Sequence, residues 1–110
     1  ISSGVDGIGI SALPTVGPAA SPLTLNGRFG QASFSDVIAG AANATLRVNN
    51  TSATANSAVI ASVSCTTAGA ILVIGSTVAG AGTIDFDVYN VSAATATAAP
   101  IQITYWVLNS

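Results

Sequence analysis

The sequence predicts an all-β fold: an antiparallel β-sandwich of jelly-roll type behind an extended N-terminal arm. Short stretches alternate apolar and polar residues, most clearly Thr83 to Asn90 and Ile101 to Leu108. Gly, Asn, Ser and Thr separate these stretches at intervals suited to short strands. No segment keeps a convincing helical period, and a chain of 110 residues is the size of one domain.

Residues 1–22 form the predicted arm. Gly4, Gly7, Gly9, Pro14, Gly17, Pro18 and Pro22 interrupt it every few positions, which forbids a helix and disfavours a central strand. Ile8, Ile10, Leu13 and Val16 make it too apolar for a free tail, so they are expected to lie on another surface as assembly contacts. The chain opens on Ile1 and holds no Met, which predicts a processed product or a piece of a longer chain.

The sandwich is expected over residues 23–110. Asn26-Gly27 is a two-residue turn signal. Gln31 to Val37 alternates, with Ala32, Phe34 and Asp36 on one face, and Thr45 to Asn49 sets Leu46 with Val48. Asn49 to Ser52 is turn chemistry, and Ala58 to Cys65 and Ala70 to Val78 are strand-like runs rich in β-branched residues. Thr83 to Asn90 points Ile84, Phe86 and Val88 inward and Asp85, Asp87 and Tyr89 outward. The alanines of Ala93 to Ala99 favour a helix, but Thr95, Thr97 and Pro100 turn this stretch into a loop.

In the closing strand, Ile101, Ile103, Tyr105 and Val107 share one face and Gln102, Thr104, Trp106 and Leu108 the other. A two-layer sandwich buries only one face of each strand from its own chain. Trp106 and Leu108 are therefore expected to meet a subunit, or an arm folded over them.

Composition narrows the function. Charged residues make up 5% of the chain: Asp6, Arg28, Asp36, Arg47, Asp85 and Asp87 carry all the side-chain charge, and there is no His, Lys or Glu. Two arginines cannot neutralise a phosphate backbone or form a polybasic membrane patch, so neither nucleic acid nor membrane is an expected partner. The longest apolar stretch, Ala68 to Ala81, is broken by Gly69, Gly75, Ser76, Thr77 and Gly80, too soon for a transmembrane helix. Such low charge leaves a bare surface poorly soluble and points to a building piece covered by copies of itself or by a larger assembly.

Catalytic chemistry has few candidates. Serine nucleophiles lack an activating His or Lys, and no Gly-x-Ser-x-Gly elbow is present. Gly75 to Gly82 lacks the Lys and following helix of a phosphate loop. Cys65, alone in a strand-like run, reads as a small buried apolar residue. Asp85 and Asp87 share a strand face and could form an acid/base pair or bind a divalent ion; the simpler reading is outward carboxylates that keep an exposed strand soluble and block edge pairing. Arg47 can pair with Asp36 or Asp85, and Asn43, Asn49, Asn50 and Asn90 begin glycosylation sequons. No metal, cofactor or catalytic residue is assigned.

Gly30-Gln31-Ala32-Ser33-Phe34-Ser35, Thr45-Leu46-Arg47-Val48-Asn49-Asn50-Thr51 and Thr54-Ala55-Asn56-Ser57-Ala58-Val59-Ile60 follow one another in a familiar order. Ala81-Gly82-Thr83-Ile84-Asp85-Phe86 and Ile103-Thr104-Tyr105-Trp106-Val107-Leu108 complete it. Across residues 27–110 the chain resembles the small all-β domains of tailed-bacteriophage virion proteins, namely capsid decoration (cement) proteins and the tips of head or tail fibres. The resemblance implies a homotrimeric sandwich on the virion surface, with the major capsid protein or other virion proteins as partners and no catalytic residues to transfer. The low charge and alanine-rich core favour a decoration protein on the capsid over a fibre tip that binds a receptor. A hydrolase using Asp85 and Asp87 is a third reading.

Overall fold

A computed structural model describes residues 13–108. Its eight strands are β1 (Thr15–Ala19), β2 (Leu23–Thr24), β3 (Phe29–Phe34), β4 (Ala42–Asn49), β5 (Ala58–Ser64), β6 (Leu72–Gly80), β7 (Thr83–Asn90) and β8 (Ile101–Leu108). They form two four-stranded sheets, ordered β1-β3-β8-β5 and β2-β4-β7-β6. The antiparallel pair β4/β7 is nested in sequence inside β3/β8. The chain is thus an all-β sandwich.

Period-two alternation produces this arrangement. In β7, Ile84, Phe86 and Val88 are fully buried, and in β8 so are Ile101, Ile103, Tyr105 and Val107, within about two percent. Ala32 and Phe34 of β3 and Leu46 and Val48 of β4 complete the centre of the core. Phe86 and Tyr105 meet across the layers with ring centroids 6.0 Å apart. The Tyr105 hydroxyl donates to Leu25 O at 3.1 Å and accepts from Asn50 Nδ2 at 3.4 Å, so its polar tip is satisfied inside.

Several expectations are corrected. Residues 15–19 are not a separate arm: β1 pairs in parallel with β3, Thr15 opposite Gln31 and Val16 opposite Ala32. An edge strand bonds on one side only, so it tolerates Pro18, and the register shifts across Gly17-Pro18. The sandwich therefore begins before residue 23. Its two N-terminal strands pair in parallel, because β2 also joins β4 that way.

Asn26-Gly27 does not close a hairpin but carries the chain from β2 in one sheet to β3 in the other. The two-residue hairpin loop is Ala81-Gly82, between the paired Gly80 and Thr83, with Gly82 at φ +80° where a side chain would be strained. Asp36 lies beyond the end of β3, where its carboxylate accepts the Ser21 N–H at 2.9 Å.

Candidate functional site

Burying the inner residues of β8 forces Gln102, Thr104, Trp106 and Leu108 onto the outer face of the first sheet. Strand register then arranges that face in rows. Phe29, Trp106 and Ile60 stand side by side across β3, β8 and β5, with Leu108 beside Ala58 in the adjoining row. Toward the other end come Gln31, Thr104 and Ser62, then Ser33, Gln102 and Ser64. Gln31 Nε2 donates to Thr104 Oγ1 at 3.1 Å, tying the polar row together.

The outer face is thus split into an apolar end and a polar end, and none of these strand positions is charged. Ile60 is 61% exposed, Trp106 52% and Leu108 42%, high values for large apolar side chains. A groove of about 310 Å³ runs along this end, lined by Leu13, Phe29, Ile60 and Trp106 among others.

The outer face of the second sheet differs in kind. Arg47 of β4 and Asp85 of β7 form an ion pair, Nε to Oδ1 at 2.7 Å and Nη2 to Oδ2 at 2.9 Å. The hydrogen bond from Arg47 holds the Asp85 carboxyl below its ordinary range, against a weaker upward push from partial burial. Asp87 accepts from Asn43 Nδ2 at 2.9 Å. Both carboxylates sit on β7, an inner strand between β4 and β6, so edge protection is not their role. They are engaged separately, one by a cation and one by an amide, on an open sheet face. Among the described residues, no group of three or more His, Cys, Asp or Glu is placed to hold a metal.

The predicted assembly contacts separate into three sets. Trp106, Leu108 and Leu13 come together at the apolar end of the first sheet's outer face, or at its groove. Val16 does not join them, because it packs partly against the chain's own core from β1. Ile8 and Ile10 lie outside the described residues.

Two members of the row were missed from the sequence, Phe29 and Ile60. The signal was present in Ala58 to Ser64, where Val59, Ala61 and Val63 already supply an inner face and leave Ile60 outside. Cys65 is half-buried rather than sealed, with its thiol 3.3 Å from Thr67 Oγ1 and 3.5 Å from Ala99 O. Two of the sequon asparagines, Asn50 and Asn90, are each 1% exposed and act as internal polar anchors.

No helix among the described residues is long and apolar enough to cross a membrane. Comparison with family profiles, curated proteins and solved structures finds no match for the chain. Fold and face together define a β-sandwich with one outer surface that carries the ion pair beside exposed Val73, Val78 and Tyr89, and one that is uncharged and partly apolar.

Proposed function

We propose that the protein is a virion structural component: a capsid decoration (cement) protein on a tailed-phage head, bound as a homotrimer against the major capsid protein. The observation that carries this reading is the row of exposed Trp106 and Ile60 with half-buried Phe29 and the exposed neighbour Leu108, at strand positions without charge. Exposed apolar patches rimmed by polar residues mark sites of association. The chain then acts by contact rather than catalysis. Copies repeated by capsid symmetry sum many modest apolar contacts into a clamp across capsomers.

The test is survival of particles with and without the protein under heat and osmotic shock. Loss of resistance without it is expected; equal survival removes the cement role. Tyr89, 41% exposed on the other outer face, favours a second reading as a receptor-binding fibre tip. That reading requires the isolated protein to bind host cells.

A further inference from the structure

The four sheet edges are not protected alike. β1 carries Pro18 and a register shift, β2 is two residues long, and β6 is irregular between Ile74 and Ser76. Prolines, very short strands and bulges are the devices by which edges avoid pairing with another chain. β5 has none of them. It runs seven residues, Ala58 to Ser64, without a proline, a charge or a break in its register with β8. Among the described residues its other side pairs with no strand, and the half-buried Val59, Ala61 and Val63 pack against the core from this edge.

We propose that β5 is a self-pairing edge: β5 of a second copy adds to it antiparallel, about a two-fold axis through Ala61. The occupant follows from the sequence of the strand. In this register Val59 faces Val63 of the partner strand, Ala61 faces its own mate, and Ile60 faces Ser62. The inward set therefore meets an identical apolar set, and no charge is buried on either side. Such an isologous contact needs only one surface patch, used twice. It gives partners to the backbone groups of β5 that pair with no strand among the described residues, and covers the inward valines. The contact uses a sheet edge, whereas the proposed virion role uses a sheet face, and being two-fold it joins a copy in one trimer to a copy in another rather than closing the trimer, so the two stand or fall separately.

The experiment places a cysteine on the two-fold. In the full chain carrying Cys65→Ser, Ala61→Cys brings two thiols together across an antiparallel pair, with Cα atoms about 4.5–5.5 Å apart. That lies inside the disulfide range of about 4.4–6.8 Å. Mild oxidation is expected to yield a linked dimer, seen as a doubling of mass without reductant. Adding Ser62→Lys and Ser64→Lys should abolish it. Ser64→Cys in the same background should not cross-link, because its partner is Ala58. A folded Ala61→Cys chain that stays unlinked overturns the proposal, and so does equal linking at position 64. If Ala61→Cys disturbs the fold, hydrogen exchange on the unsubstituted chain decides. The β5 amides must gain protection from dilute to concentrated protein; unchanged exchange overturns the proposal.

Discussion

Arg47 and Asp85 stand opposite each other in register on β4 and β7, and their side chains close a two-pronged ion pair on the sheet surface. The geometry is specific, yet solvent reaches both partners, at 48% and 25% side-chain exposure. Exposed pairs of this kind contribute little to stability.

The pair nonetheless leaves a mark on pH dependence. Asp85 has a lowered pKa in the folded protein, so the unfolded chain binds more protons in acid. Its contribution is complete above the ordinary carboxylate range and fades as pH falls through the folded value. Thermal melts should show Asp85→Asn and the parent converging below about pH 4, with a small gap above it. A gap that widens in acid would contradict the assignment.

Phe86 is fully buried against Tyr105 between the sheets. Phe86→Ala removes the ring and leaves a void that a strand-bound backbone cannot collapse, at a cost of about 3–5 kcal/mol. Denaturant titration measures it, and a loss below about 1 kcal/mol would mean the core repacks.

Asn90 ties the loop after β7 to the body of the fold. Its Nδ2 donates to Ile38 O at 3.0 Å and Thr95 O at 2.7 Å, while Oδ1 accepts from Ser92 N at 3.1 Å and Oγ at 2.7 Å. Asn90→Asp removes both donors and sets a carboxylate oxygen against two carbonyls. Each carbonyl keeps one other partner, the Thr97 N–H on Ile38 O and the Ser92 hydroxyl on Thr95 O. The lost bonds to a buried group cost about 1–3 kcal/mol. Amide exchange should accelerate across residues 91–100, including Thr97, whose N–H bonds Ile38 O at 3.1 Å. Exchange unchanged in that loop would show that the network does not hold it.

Trp106 is the chain's one tryptophan and so reports on its own environment. Its fluorescence should move to shorter wavelength when the protein enters its assembly and the half-exposed ring leaves water. Trp106→Lys should weaken association while leaving the melting temperature of the dispersed protein nearly unchanged, since its neighbours are surface groups. An unshifted spectrum on assembly would place the contact elsewhere.

The sequence was most informative where structure is local. The alternation of Thr83 to Asn90 and Ile101 to Leu108 predicted both strands to the residue, with the correct faces inward. Other runs were placed within a few residues, such as Ala70 to Val78 for a strand that spans Leu72–Gly80. Reading Gly17 and Pro18 as marks of an extended arm outside the sandwich missed the pairing of residues 15–19 with β3, because an edge strand demands less of its backbone than a central one. Asn50 looked like a turn residue and both Asn50 and Asn90 like sequons, but their neighbours in space make them buried anchors.

What the chain determined alone was side-chain polarity at period two, together with a shortage of charge, and hence two layers. Folding decided the rest: which of Asp36 and Asp85 met Arg47, that Phe29, Trp106 and Ile60 fell into one row, and that β5 was left at an edge. The reason is range. Face alternation is set by neighbouring residues, whereas pairing partners and edges arise from contacts between positions far apart in the chain, which no local pattern encodes.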